Sequence, residues 1–482
     1  MFWRPIFLVN GILLCVLACV MLLAMAADIA SAHDNWQVFA ISALITVFVG
    51  MSLYLSNRGY NDGVRVRQAF LLTTTSYVVL SFFSALPLYL SEDLNMSMVD
   101  AYFEAVSGIT ATGASVMSGL DFAPKGILLW RSLLNGLGGI GIVVMALAVL
   151  PMLKIGGMQL FKAESSENSD KMLPRTPQIA MTISTIFVSL TLLCFWCYWL
   201  AGMSSFDALC HALTTIATGG FSTHDRSLGF YDSVVIESIA VIFMLAGAFP
   251  LMLYYKMVKG HSLAIYRDPQ VRFLLIIVSS VVLLLTLWLM ATQNMDVFSA
   301  IRYTLFNVVA IITTTGFSSA DYGQWGEMAI MVLFMLIVVG GCTGSTSGGI
   351  KIFRFIVFYK TVRAQLRQLI QPHGVFIPRY DDKPIPESVI ASVTTFLLLF
   401  AFMFLVIAII LSMFGLDFLT SVSSAAQALA NVGPGLGDVV GPTGNYQPLP
   451  EGAKWLLSFA MIMGRLELFT VIVLFTPKFW ND

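Results

Sequence analysis

The chain has 482 residues, of which 58% are hydrophobic and only 11% charged, and its formal net charge is -1. A soluble domain carries about 25% charged residues, so this is an integral membrane protein. The near-neutral balance gives no electrostatic footing for a nucleic-acid partner and leaves membrane lipid as the main environment.

Runs of about 20 apolar residues cross a bilayer as helices. Ten such runs fall at 5–27, 36–55, 69–90, 126–151, 179–201, 234–256, 271–292, 328–358, 388–413 and 453–476. The first is long for a signal peptide and further spans follow, so it reads as a membrane helix. With the N-terminus in the cytoplasm, 20 of the 26 Lys and Arg residues fall inside, as the positive-inside bias requires. They are Arg4, then Arg58, Arg65 and Arg67, then Lys154, Lys162, Lys171 and Arg175, then Lys256, Lys259, Arg267 and Arg272, then seven in 351–383, and Lys478. Both termini are then cytoplasmic. Arg302 and Arg465 lie within membrane segments, and 17 of the 27 acids fall outside.

Between spans, four loops are too long and too apolar for simple turns. They are AYFEAVSGITATGAS (101–115), FDALCHALTTIATGGFS (206–222), FSAIRYTLFNVVAIITTTGFSSADY (298–322) and FLTSVSSAAQALANVGPGLGD (418–438). Each reads as a short semi-apolar helix running into a glycine: Gly113, Gly219, Gly316 and Gly433, spaced by 106, 97 and 117 residues. An ordinary helix-ending glycine accounts for any one of them. Four copies at near-equal spacing, each between two spans, read instead as an internal repeat. The unit resembles a potassium-channel subunit, in which a pore helix leads into a loop whose carbonyls replace an ion's water shell. Glycine supplies the left-handed backbone such a loop needs, and a threonine before it offers a further oxygen. Irregular backbone at membrane depth is tolerated only where it lines a cavity or is buried in protein.

The stretches ITATGAS, ATGGFSTHD, TTTGFSSADYG, NVGPGLG, GGCTGSTSGGIKIFR and GRLELFTVIVLFTPKFW together resemble the Trk/Ktr/HKT superfamily of potassium transporters, and within it the H-type membrane subunit. The resemblance covers essentially the whole chain. It implies an all-α polytopic membrane protein with ten transmembrane helices. Two extra N-terminal helices (1–66) precede four M1-P-M2 repeats (67–176, 177–268, 269–383 and 384–482) around a pseudo-fourfold pore. It implies a homodimer docked on a cytosolic RCK-type, nucleotide-binding Trk A-type subunit, with no nucleotide on this chain. The filter for K+, the transported ion, is expected at Ala111-Thr112-Gly113, Ala217-Thr218-Gly219, Thr314-Thr315-Gly316 and Asn431-Val432-Gly433. The fourth set lacks threonine, which implies lower symmetry and a looser preference, with rubidium also passing.

The span 328–358 is interrupted by GGCTGSTSGGIK. Gly340, Gly341, Gly344, Gly348 and Gly349 make a continuous helix there unfavourable, each costing up to about 1 kcal/mol. The span is expected to break at mid-membrane, with Ser345, Thr346 and Ser347 facing water and the helix resuming near Ile350. The resemblance makes residues 340–350 an intramembrane gate below the filter, with Lys351 at its lower end. The alternative is a packing break that never moves. Arg465 and Glu467 fall inside the last span, where ionisable residues face a cavity or the bundle interior. The resemblance places Arg465 near the gate as a barrier to cations; a structural pair with a carbonyl or an acid is the other reading. Arg302 is assigned a structural role at the third short helix or a protomer contact.

Several enzyme-like strings fail on context. Gly348-Gly349-Ile350-Lys351 misses the phosphate-loop spacing, and Gly136-Leu137-Gly138-Gly139-Ile140-Gly141 has no strand before it. Small residues for close helix packing account for the latter. Cys194 and Cys197 sit in an apolar run as packing thiols. No histidine cluster or nucleophile–base pair is legible, so the protein is not expected to be an enzyme. The expected function is potassium uptake across the inner membrane through a gated pore. The alternative is a symporter coupled to protons or sodium.

Overall fold

The structure, a computed structural model, describes residues 3–59, 65–148, 176–261, 263–381 and 383–480. The end of the expected span 126–151 and the inner basic residues Lys154, Lys162, Lys171 and Arg175 lie outside these.

Two long helices open the chain, α1 (Arg4–Ala30) and α2 (Trp36–Asn57). They pack backbone to backbone: a Cβ at Gly11 would lie 2.7 Å from the Gly50 carbonyl oxygen. Small residues permit this approach where lipid supplies no hydrophobic drive between helices. Large apolar side chains such as Leu44, Phe48, Leu398 and Phe402 point outward, while Ser42, Thr46, Ser81 and Ser84 are buried. That inversion suits a hydrocarbon solvent.

Four times thereafter a long helix is followed by a short one, an irregular loop and a further helix. The long helices are α3 (Val66–Leu90), α6 (Thr176–Leu200), α10 (Pro269–Gln293) and α14 (Glu387–Met413). The short ones are α4 (Met98–Ile109), α7 (Ser205–Ile216), α11 (Val297–Ile312) and α15 (Phe418–Ala430). Every short helix begins in the same way. Ser97, Ser204, Asp296 and Asp417 each accept a hydrogen bond from the backbone N–H three residues on, filling one of the orphan donors of a helix start.

The closing helices differ from one another. After α4 comes α5 (Lys125–Ala148), unbroken. After α7, α8 (Val234–Ala248) and α9 (Leu251–Val258) meet at 93°. After α11, α12 (Glu327–Val338) and α13 (Ile352–Ile370) are separated by an irregular loop. After α15, α16 (Glu451–Arg465) and α17 (Phe469–Ile472) belong to a pair bent by 110°. Only the break after α12 was expected, and the helix resumes at Ile352, near the expected Ile350. The other two have local causes. Phe249 is extended before Pro250, as the residue before a proline must be. Glu467 and Leu468 both carry positive φ, 60° and 49°, which no helix continues through.

Six helices among the described residues are long and apolar enough to cross a membrane, or eight if each bent pair is one span. The chain is a multi-pass membrane protein. An antiparallel ribbon, Arg379–Tyr380 with Lys383–Pro384, corrects the all-α expectation locally. Two buried apolar clusters organise the interior. One joins α1–α5 to α14–α17; the other joins α6–α13 to the start of α14 and part of α15. The last unit therefore packs against the first, and the chain closes on itself.

Candidate functional site

The four short helices end alike. The backbone N–H groups of Thr112, Gly219, Thr315 and Val432 each donate to a carbonyl five residues back: Ser107, Thr214, Ala310 and Gln427, at 2.9, 2.9, 2.9 and 3.1 Å. The residue before each donor is left-handed: Ala111 (φ 49°), Thr218 (49°), Thr314 (56°) and Asn431 (55°). The residue after each donor is a left-handed glycine: Gly113 (84°), Gly220 (73°), Gly316 (80°) and Gly433 (107°). Alternating backbone of this kind turns successive carbonyls toward one side.

This pattern corrects the register of the second loop. The counterpart of Gly113, Gly316 and Gly433 is Gly220, not Gly219, and the matching triplet is Thr218-Gly219-Gly220. Ala217 is the C-cap of α7, one residue before it.

The four loops form a ring. A Cβ at Gly113 would overlap the carbonyl oxygen of Gly219, one at Gly220 that of Thr315, and one at Gly316 that of Val432. One at Gly433 would stand 2.7 Å from that of Thr112. Each loop thus meets the next, and the fourth meets the first. Gly113, Gly220, Gly316 and Gly433 all line one cavity of about 100 Å³, together with Ser222, His224, Asp225 and Tyr446.

The threonine hydroxyls are taken up within the protein. Thr112 pairs with Thr110 at 2.7 Å and Thr315 with Thr313 at 2.8 Å. Thr218 donates to the Ala217 carbonyl at 2.8 Å, and Thr314 accepts from the Gly348 N–H at 2.6 Å. The oxygens left for a ligand are the backbone carbonyls. Asn431, where threonine is missing, tolerates the left-handed backbone and donates to Thr112 Oγ1 and the Met461 carbonyl, both at 2.9 Å. The fourth loop is therefore stapled to the first, and Tyr446 Oη also donates to the Gly433 carbonyl at 3.1 Å.

Charge braces the ring from outside. Arg131 is 2% exposed. It donates to Glu104 at 2.8 Å and to the Ser222 carbonyl at 3.0 Å, and it lies over the Phe221 ring. Asn135 donates to the Gly108 carbonyl at 3.0 Å and accepts from the Phe221 N–H at 3.3 Å. Sequence reasoning assigned no role to Arg131, Glu104, Asn135 or Tyr446. An acid inside AYFEAVSG and a base inside LLWRSLL were the available signals. Arg302 pairs with Glu237 and Asp232, tying α11 to α8.

Beyond the ring, on the face away from the cavity, lies the loop 339–351. Gly340, Gly341, Gly344, Ser345, Thr346, Ser347, Gly348 and Lys351 are all buried, and Gly349 is half-buried. This differs from the expected water-facing loop: protein groups pair with much of its backbone, while the Thr343 and Ser347 hydroxyls have no hydrogen-bond partner among the described residues. Gly344 O accepts from Leu251 N, Cys342 N donates to Ala248 O, and Thr346 N donates to Gly247 O, so the loop fills the gap between α8 and α9. Thr346 Oγ1 donates to the Ile216 and Gly247 carbonyls at 2.9 and 3.0 Å. A Cβ at Gly348 would overlap the Ala430 carbonyl oxygen. Lys351 Nζ donates back to the Ser347 carbonyl.

Arg465 is buried, with Nη2 donating to the Gly138 carbonyl at 3.3 Å; its Nε and Nη1 have no partner among the described residues. Glu467 pairs with Arg354 rather than with Arg465, and Arg354 lies 3.8 Å from the Phe396 ring centre. At the outer rim, His224 Nδ1 is 2.5 Å from Asp121, while Nε2 stands 3.9 Å from Asp207, beyond hydrogen-bond reach. Burial disfavours the charged imidazole, but Asp207 and Asp121 outweigh it and hold its pKa above the ordinary value. Among the described residues no cluster of His, Cys, Asp and Glu is placed to hold a metal.

Residues 35–482 match the family described as TrkH: Cation transport protein. The Trk system potassium uptake protein TrkI of Halomonas elongata is 43% identical, covering 100% of this chain and 97% of that protein. The Trk system potassium uptake protein TrkH of Escherichia coli K12 is 35% identical over 100% of both chains. The crystal structure of the potassium transporter TrkH from Vibrio parahaemolyticus superimposes with a TM-score of 0.92 at 34% identity, covering 100% of both.

Proposed function

The chain belongs to the TrkH family of cation transport proteins, and from that premise we propose that it carries potassium into the cell across the inner membrane. The proposed frame is ten spans: two N-terminal helices and four M1-P-M2 repeats at 67–176, 177–268, 269–383 and 384–482. Both termini are cytoplasmic, and two copies of the chain pair. The observation that carries the reading is the ring in which each left-handed glycine meets the next loop's carbonyl and the fourth meets the first. Potassium sheds its water and is held by the carbonyls of Ala111, Thr112 and Gly113, of Thr218, Gly219 and Gly220, of Thr314, Thr315 and Gly316, and of Asn431, Val432 and Gly433. The C-terminal ends of α4, α7, α11 and α15 add negative potential there.

The loop 340–350 is the gate. It seals the path below the filter and opens when a cytosolic RCK-type, nucleotide-binding Trk subunit moves it; nucleotide binds that partner. The unpartnered guanidinium nitrogens of Arg465 supply a positive barrier on the same route. A gated pore is favoured over proton- or sodium-coupled symport because Glu467, an acid below the ring, is neutralised by Arg354. Uptake of radioactive rubidium into liposomes holding the chain and its partner tests this. Uptake that follows the potassium gradient alone, at two pH values and with or without sodium, is expected. A requirement for a proton or sodium gradient would replace the pore with a symporter.

A further inference from the structure

A second cleft, of about 390 Å³, lies on the side opposite the filter. Its walls are Lys360, Arg363 and Arg367 of α13 and the segment Val375, Phe376, Ile377, Pro378 and Arg379; none of its lining residues is acidic. Residues 360, 363 and 367 share one helix face. Lys360 Nζ donates to the Arg379 carbonyl at 2.6 Å and so pins the segment to the helix. The side chains of Arg363 and Arg367 hold no hydrogen bond or ion pair among the described residues.

Depth identifies what such a cleft meets. The helix α12 has 12 residues, which at about 1.5 Å each reaches about halfway through a hydrocarbon core of roughly 30 Å. The chain restarts at Ile352, so Lys360, Arg363 and Arg367 lie about 12, 17 and 23 Å further on. That brackets the inner hydrocarbon boundary and the phosphate level just beyond it. The same helix exposes Phe358 and Tyr359 one turn above the basic cluster, which suits acyl chains and not water.

We propose that this cleft binds the phosphate headgroup of an anionic phospholipid of the inner leaflet, with Arg363 and Arg367 as its principal contacts. Because α13 begins at the loop, a lipid held there would also fix the lower anchor of the gate. The assignment of a leaflet rests on the orientation proposed above; the binding itself does not.

The test is lipid retention by the purified full-length chain in detergent, measured by native mass spectrometry with phosphatidylglycerol or phosphatidylcholine added. Preferential retention of phosphatidylglycerol is expected. The double variant Arg363→Gln/Arg367→Gln should lower it by roughly 30-fold, the loss of two surface charges near anionic lipid. Arg267→Gln, an exposed base on the same side, should leave it unchanged. Equal retention by double variant and parent would overturn the proposal, as would an equal loss in Arg267→Gln. Displacement of phosphatidylglycerol by inorganic phosphate alone would assign the cleft to free phosphate and overturn the lipid reading. Loss of binding to the cytosolic Trk subunit with lipid retention intact would assign it to a protein and do the same. Rubidium uptake is a separate readout, so a chain that keeps the lipid but fails to conduct counts against the proposed function only.

Discussion

The position of the second filter glycine can be decided by two alanine substitutions. At Gly220 the backbone is left-handed, with φ 73°, and an added Cβ would overlap the Thr315 carbonyl at well under 3.0 Å. Alanine in that conformation costs about 1–2 kcal/mol, and forcing the ring apart adds about 1–3 kcal/mol. A total of at least about 2 kcal/mol makes the conducting arrangement roughly 30-fold rarer. At Gly219 the backbone is not left-handed, and the Cβ would meet the side chain of Asn135 instead. Asn135→Ala removes the amide that stands 2.4 Å away and leaves only its own Cβ, at 2.9 Å, a residual contact that a small shift relieves, at the loss of its bonds to Gly108 and Phe221. Gly220→Ala should therefore abolish selective rubidium uptake whether or not Asn135 is present. Gly219→Ala combined with Asn135→Ala should be no worse than Asn135→Ala alone. The assay is uptake in proteoliposomes with the potassium-to-sodium permeability ratio, each variant checked for its melting temperature. Parent-like selectivity in Gly220→Ala, with loss in the Gly219→Ala/Asn135→Ala pair, would refute the ring geometry.

Thr346→Val removes the single hydroxyl proton shared between the Ile216 and Gly247 carbonyls, worth about 1 kcal/mol in all, and should raise partner-independent rubidium flux roughly 5-fold; unchanged flux would count against the gate. Arg302→Gln strands Glu237, whose side chain is 4% exposed; a loss of about 3 kcal/mol should appear as a clear fall in melting temperature, largely restored by Glu237→Gln, and a silent single variant would discount the pair. His224 is flanked by Asp121 and Asp207, with His211 and Tyr231 also close. Its folded pKa lies above the ordinary 6.5, so its stabilisation is complete below that pH and is lost as pH rises through the folded value. The melting temperature of the parent should fall as pH rises from 6.5 through that folded value, and that component should vanish in His224→Gln; superimposable profiles would refute the pairing.

The long apolar helices and the recurrence of a short helix before a glycine loop were legible because each is written in hydropathy and in glycine spacing, although six to eight of the ten expected spans are long and apolar enough to cross among the described residues. The register of the second loop was misplaced because ATGGFS offers two glycines, and matching Thr-Gly across loops selects the first. Matching Gly-Phe-Ser instead aligns 220–222 with 316–318 and selects Gly220. The breaks at Phe249–Pro250 and at Leu466–Leu468 were invisible to a hydropathy window, which averages over both sides of a bend. Pro250 was a readable signal; nothing in RLELF marks Glu467 and Leu468 as left-handed. Pairings such as Arg131 with Glu104 and Arg354 with Glu467 link residues 27 and 113 positions apart, and only the closed chain brings them together.

The three breaks are one structural solution. A helix cut at membrane depth leaves carbonyls and N–H groups that lipid cannot satisfy, each unpaired group costing several kcal/mol. Here the groups bared by one break are paired by another. The loop 339–351 bonds Gly247, Ala248 and Leu251 at the bend between α8 and α9, and Arg354, just past the loop, holds Glu467 at the bend after α16. Moving the loop would bare the C-terminal end of α8 and the N-terminal end of α9, and carrying the start of α13 with it would strip Glu467 of Arg354. The loop, the α8–α9 corner and the α16–α17 corner therefore shift together or not at all. A loop interlocked in this way moves only when several of these bonds break at once.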